Sequence, residues 1–424
     1  MGSAPHGRLR ATLLASRHDD QPGHALGRRR AAARDHGDEE AMTMTDCSRR
    51  RLLLGATALP GALALAGCSG GLPPLPGSGS PGICIDPSEE IPEEAYETVP
   101  EGVIVDPVPF DESLLFMSST LTISPDGSTL AACEMGFPQD PEHAETRGIV
   151  LWDAGTGAVI HRFRPPMLGR LAWHPDGDRL AIGDGRLVSI VDLEGTLERT
   201  LFGHELPRGD TAAILDLAFS PDGTQLASSG SDRTVRLWDM DPESCGSGHV
   251  LRTGPRHNRN LSYSPDGSVL AVGATSSSSE GDEANPTTLW DPMTGRRTEI
   301  LEDVPGIVFA LDHAADGALI VAADEPRALM AVGTDGSVVE GPVTASTWFA
   351  DLAVGPGHRV ALHADEELLL WDRESGEETR HEIESESAVD SMVWSAKEDM
   401  LFCLSSREGV LAFDGTRWTT FDLP

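Results

Sequence analysis

Side chains able to do chemistry are plentiful in this chain, but few are spaced for it. Six cysteines stand at 47, 68, 84, 133, 245 and 403, and no two have the spacing of a CxxC or another metal-ligand pair. Cys133 and Cys403 fall in apolar runs and read as small core residues. Cys84 and Cys245 fall in polar stretches and could pair in an oxidising compartment. Cys68 stands apart, closing an apolar run as Leu65-Ala66-Gly67-Cys68. Among the histidines, His174 and His313 end short apolar runs and read as structural. There is no HExxH, no phosphate-binding glycine loop, no GxSxG elbow and no calcium-loop spacing. With 68 acidic side chains, no single carboxylate pair stands out. The expectation is a protein without a catalytic apparatus, a metal or a cofactor.

The elements that must position these residues repeat. The clearest copy is Leu217 to Asp239, LAFSPDGTQLASSGSDRTVRLWD. Leu217 and Phe219 alternate with small residues, as in a short buried strand. Ser220-Pro221-Asp222-Gly223 is a tight turn, in which Pro presets φ, Asp bonds its own backbone and Gly accepts positive φ. A second strand, a Ser231-Asp232-Arg233 turn and a third strand ending in Leu237-Trp238-Asp239 complete a meander. A unit this small needs neighbours to bury its apolar faces.

The neighbours are visible along the chain. First strands begin at Leu121, Leu171, Leu217, Leu261, Leu311, Leu352 and Met392. Third strands end at Asp153, Asp192, Asp239, Asp291, Gly333, Asp372 and Asp414, and a more polar fourth strand follows each. Turn aspartates at 126, 176, 222, 266 and 316 are 44 to 50 residues apart. Seven four-stranded copies at such a period predict an all-β, seven-bladed β-propeller with antiparallel blades over 103–424. Val103–Phe110 could supply the ring-closing strand, and 417–423 could instead be the outer strand of the last blade. An interlocked last blade is the expectation.

The Pro-Asp-Gly turns, the Leu-Trp-Asp strand ends and Ser231-Asp232-Arg233-Thr234-Val235 resemble the WD-repeat family. In that family a His, a Ser or Thr, an Asp and a Trp form a structural hydrogen-bonded tetrad. The resemblance implies that role for His204 (within Gly203-His204), Ser228, Asp232 and Trp238. No other copy has the full set, and copies one, four and six keep only the Trp, at 152, 290 and 371. The periplasmic propeller of the Tol system shares the Ser-Pro-Asp-Gly turns, but the Leu-Trp-Asp ends and Gly203-His204 resemble WD repeats instead.

Ahead of the repeats, Ser48-Arg49-Arg50-Arg51 precedes an apolar run, Leu52–Ala66. A charged front, a short apolar middle and a small-residue end make an export signal over 42–67. The run is about 15 residues, short of the roughly 20 a spanning helix needs. Its Leu-Ala-Gly-Cys end resembles the lipobox of bacterial lipoproteins, which implies acylation of Cys68. Arg49 and Arg50 resemble the twin-arginine export motif. Residues 1–41 then read as a disordered or mis-annotated extension, with translation starting at Met42 or Met44. Residues 68–102, rich in Gly, Ser, Pro and Glu, read as a disordered tether.

The formal net charge is −36 over 424 residues, and Lys397 is the only lysine. Such a surface repels nucleic acid and anionic headgroups. The longest insertions, 134–147 and 276–286, follow second strands and would leave one rim of the ring. Glu134, Arg147, Glu280 and Asp282 mark them as candidate partner-binding loops, or as neutral decoration. The functional expectation is a monomeric, lipid-anchored scaffold facing outside the cytoplasm, with a protein or peptide partner in the cell envelope. The alternative is an enzyme or small-ligand binder that uses the central funnel.

Overall fold

The computed structural model describes residues 83–85, 120–134, 148–163, 169–184, 187–204, 213–241, 246–253, 257–275, 287–301, 304, 308–323, 328–343, 349–364, 367–383, 389–405 and 409–421. Export-signal residues Arg49 and Arg50, Cys68, Val103–Phe110 and the loop residues Arg147, Glu280 and Asp282 lie outside them.

The described chain folds into seven antiparallel sheets, each built from four strands consecutive in sequence. The blades span 121–163, 170–202, 214–252, 257–301, 308–343, 349–382 and 389–421. The first strand of each blade touches the first strands of both neighbouring blades, so the seven close a ring around an axis. The molecule is a seven-bladed β-propeller.

Local chemistry explains the turns. In blade 1 the Ser124 hydroxyl donates to Asp126 at 2.6 Å and accepts the Thr129 N–H at 2.9 Å, while Gly127 takes φ 70°. Ser220-Asp222-Gly223 and Ser264-Asp266-Gly267 repeat this network in blades 3 and 4. A second turn type joins third to fourth strands: Asp153 accepts the Thr156 N–H and hydroxyl at 2.8 and 2.7 Å. In both turns a short polar side chain replaces backbone partners and fixes the reversal.

The core is divided among the joints between blades. Seven apolar clusters each draw on two adjacent blades, as in Leu171, Trp173, Leu180 and Ile182 of blade 2 against Ala131, Ile149 and Leu151 of blade 1. The joint that closes the ring sets Leu130, Val150 and Trp152 of blade 1 against Phe402, Leu404 and Val410 of blade 7. There the Ser395 hydroxyl also donates to the Gly127 carbonyl at 2.8 Å.

Two expectations change. Among the described residues the last blade is not interlocked: its four strands all come from 389–421, the outermost being Trp418–Phe421. An Asp414 turn, accepting the Thr416 and Arg417 N–H groups at 2.9 and 3.0 Å, returns the chain for that strand. Among the described residues closure therefore rests on side-chain packing and the Ser395–Gly127 hydrogen bond. The second change concerns the tether. Ile83–Ile85 is a strand, paired antiparallel with the outer strand of blade 2, Leu197–Phe202. The β-branched Ile-Cys-Ile run extends that sheet to five strands. Cys133 and Cys403 are buried thiols outside any disulfide among the described residues, and burial pushes the Cys403 thiol up. Pairing of Cys84 with Cys245 concerns side chains outside the described set.

Candidate functional site

The structure brings His204, Ser228, Asp232 and Trp238 together in blade 3. His204 ends the segment leaving blade 2, Ser228 lies on the second strand, Asp232 in the following turn and Trp238 on the third. His204 Nδ1 lies 3.0 Å from both Asp232 carboxylate oxygens, and Nε2 lies 2.8 Å from the Ser228 Oγ. The Trp238 indole N–H donates to the same Oγ at 2.7 Å. Thr234 adds its hydroxyl and N–H to Asp232 at 2.8 and 3.1 Å. The proton arrangement that pairs every donor has Nδ1–H on the carboxylate and the serine hydroxyl on Nε2. Burial opposes ionisation of Asp232, but His204 and Thr234 outweigh it and hold the carboxyl below its usual range.

Asp, His and Ser in that order are also the parts of a hydrolytic relay, so the distinction must be drawn physically. Here the serine is 0% exposed and His204 is 0% exposed. The Ser228 Oγ is already shared between an indole and an imidazole. A nucleophile needs an open side for the substrate carbonyl, and this one has none. The four residues form a clasp that pins the chain leaving blade 2 onto blade 3. Gly230 belongs to it, since a Cβ there would sit 2.4 Å from His204 Nδ1. Arg236, 1% exposed on the third strand, lies 5.9 Å from the Trp238 ring centroid and was not singled out from sequence.

A second grouping lies on the ring of first strands. Five of these strands shift register at equivalent points, just before Asp216, Asn260, Ala310, Asp351 and Ser391. The bulge lets a side chain reach the next blade. Asp216 accepts the Leu217 N–H at 2.9 Å and, across the joint, the Leu261 N–H at 2.7 Å. Asp351 does the same with Leu352 at 2.9 Å and Met392 at 2.7 Å. One joint further round, Ser262 donates to Asp312 at 2.8 Å. Arg170, on the blade 2 first strand, acts electrostatically on both Asp216 and Asp351. Enclosure by the inner strands dominates all the same. It pushes Asp216 up to about 7 and Asp351 up to about 6, against Arg170 and the N–H donors. A sequence signal existed: each lies directly before the buried Leu of its first strand.

Other groupings are already internally satisfied. His174 Nε2 donates to the Gly223 carbonyl at 3.2 Å, and Nδ1 accepts the Asp176 N–H at 3.1 Å. Both nearby carboxylates, Asp176 and Asp178, carry Arg179 at 2.8 and 3.0 Å. In this arrangement both ring nitrogens of His174 are engaged, and one oxygen of each carboxylate is held by Arg179. His313 is half-buried and lowered to about 4, chiefly by desolvation, so it stays uncharged in its place beside Ser262. Between blades 6 and 7 a cleft of about 100 Å³ is lined by Arg359, Trp394 and Phe413. It is far below the roughly 300 Å³ of a small-molecule pocket. Arg359 fills part of it, lying over Trp394 at 4.8 Å and pairing with Asp399. Glu134 ends the second strand of blade 1, the point from which 135–147 departs.

The class this geometry defines is a β-propeller with a buried polar clasp in one blade. That blade, with the segment leading into it, resembles a WD repeat: residues 195–239 match the family described as WD domain, G-beta repeat. Over 144 residues the chain is 34% identical to nuclear distribution protein PAC1 of Fusarium vanettenii, covering 32% of this chain and 30% of that protein. It is 31% identical over 144 residues to WD repeat and SOCS box-containing protein 1 of Takifugu rubripes, covering 32% of each. The chain thus spans about a third of the length of these curated relatives. Among solved structures, the Cps50 (Swd1) β-propeller domain of Myceliophteria thermophila superposes with a TM-score of 0.56 at 18% identity. That match covers 71% of this chain and 97% of the other.

Proposed function

We propose that this protein is a tethered interaction module: a propeller held to a membrane by lipid on Cys68, outside the cytoplasm, which binds a protein or peptide partner. The observation that carries the reading is the pairing of Leu65-Ala66-Gly67-Cys68 with a ring closed at every joint. The first is the chemistry of an anchor, and the second is a rigid platform for loops. WD-repeat propellers generally act as platforms for protein partners, which supports the same reading by analogy of fold. Arg49 and Arg50 direct export in this proposal, and the protein acts as a monomer without catalysis. Glu134, Arg147, Glu280 and Asp282 mark the rim that meets the partner.

Photo-crosslinking side chains placed at Arg147 and Asp282 test this. They should capture an envelope protein that the same side chain at Thr156, on the opposite rim, does not. Equal capture from both rims, or none, would sink the assignment. Cys68→Ser should release the chain from membranes and abolish incorporation of labelled fatty acid.

A second reading has one observation in its favour, the set of Arg170, Asp216 and Asp351 on the inner strands. Opposite charges around one axis suit a small charged ligand in the funnel. A screen of small charged molecules by thermal shift, with Arg170→Met as control, decides it: a ligand whose stabilisation needs Arg170 supports the funnel.

A further inference from the structure

The outer strand of blade 2 differs from its counterparts. Thr200, Leu201 and Phe202 are 2%, 0% and 6% exposed. The outer strands of blades 1, 4 and 6 are exposed along most of their length, with burial in blades 1 and 4 confined to the last residue, Phe163 and Leu301, so Thr200 and Leu201 set blade 2 apart. The three covered residues are those opposite Ile85, Cys84 and Ile83 in the ladder. Their sequence fits, since Thr-Leu-Phe carries no charge where blade 4 has Glu299-Ile300-Leu301 and blade 6 has Glu378–Glu382. The added strand also touches the outer strand of blade 3, Gly246–Arg252. This edge is built to receive a strand, and the chain supplies one from its own N-terminal side.

The consequence is one of reach. From Cys68 to Ile83 there are 15 residues, and from Cys68 to Thr120, where blade 1 begins, there are 52. At full extension those runs span at most about 50 Å and about 180 Å. A folded unit of this size is roughly 50 Å across. With the strand in place, the point of attachment is the outer edge of blade 2. Only a fully stretched run would then bring the far side, blades 5 and 6, to the anchor. Without it, every side of the ring could meet the membrane.

We propose that Ile83–Ile85 is a strap that makes the outer edge of blade 2 the membrane-proximal edge, leaving both rims of the propeller open to partners. The lipid surface is the ligand of this edge by tethering. The proposal rests on acylation of Cys68, so its test separates the two.

The full lipidated chain is reconstituted in phosphatidylcholine vesicles carrying headgroup acceptors, with a donor dye on an unnatural side chain at Glu198. A 20-residue Gly/Ser insertion is placed either between Cys68 and Ile83 or between Ile85 and Thr120. The first insertion should lower energy transfer at least about twofold, because it lengthens the only run that counts. The second should leave it unchanged. Equal losses from both insertions would overturn the strap. A donor at Thr379 on blade 6 should transfer less than one at Glu198, and equal transfer would overturn the orientation. Docking is also measured without any lipid. In the Cys68→Ser chain, the double variant Ile83→Pro, Ile85→Pro should raise amide exchange at residues 200–202 at least about tenfold and leave blade 5 unchanged. Unaltered exchange would overturn the strap, whatever the vesicles show. A full chain that does not float with vesicles, yet shows the exchange effect, removes the anchor and the membrane half of the proposal while upholding the strand.

Discussion

Single buried atoms decide much of what this propeller can tolerate. Ser228 is the hinge of the clasp, since both an imidazole and an indole depend on its hydroxyl. Ser228→Ala would leave two buried polar groups unpaired and should cost about 2–4 kcal/mol in urea unfolding. Partner binding should persist once folding is restored by lower temperature. Lost binding with an unchanged midpoint would give the clasp a direct role. Blade 1 offers the reverse experiment. Trp152 is 0% exposed and its indole N–H has no partner among the described residues. Trp152 stands opposite Leu130 as Trp238 stands opposite Leu226, so the serine position of blade 3 is Ala132 in blade 1. Ala132→Ser should therefore stabilise the protein by about 1 kcal/mol. Blade 4 has met the same need differently, its Trp290 donating to Thr288 two residues back at 2.9 Å.

At the scale of elements, the turns carry a shared acid sensitivity. Asp126 and Asp266 are held at about 2, chiefly by Ser124 and Ser264 hydroxyls, and Asp153, Asp222, Asp291, Asp335 and Asp372 are also lowered, mostly by neighbouring hydroxyls and N–H groups. A depressed folded value means stability present above the unfolded value of 3.8 and lost as pH falls through about 2. Acid unfolding should take up several protons between pH 4 and 2, and Asp126→Asn with Asp266→Asn should reduce that uptake. The turns were readable in the sequence because Pro, Asp and Gly each have a local reason to be there. So were the seven blades, since each third strand keeps its apolar alternation even where the Trp is replaced, as at Val332 and Phe413. The strand at Ile83–Ile85 was hidden among Gly, Pro and Glu, because three residues give no period to detect. The register shifts that let Asp216 and Asp351 each reach the blade next to its own depend on pairing with another strand. The sequence identifies those residues but not where their side chains go.

For the molecule as a whole, the inner carboxylates oppose the turns. Asp216 and Asp351 have folded values raised to about 7 and about 6. Their contribution is fully present below the unfolded value and is lost as pH rises through 6 to 7. Repulsion within a chain of net charge −36 acts in the same direction. The melting temperature should therefore pass through a maximum between about pH 4 and 6, and Asp216→Asn should flatten its decline from pH 5 to 8. The closing joint depends chiefly on packing, so Phe402→Ala, at a fully buried site, should cost about 3–5 kcal/mol. The place where the chain leaves the ring also sets how the molecule would carry mechanical tension. A pull on the N-terminal side enters at blade 2 through three paired residues, well away from the seam between blades 7 and 1. That short ladder would peel first, and the 34 residues between Ile85 and Thr120 span at most about 110–120 Å at full extension. The propeller would thus be protected by a sacrificial link, which yields under force before the seam is loaded.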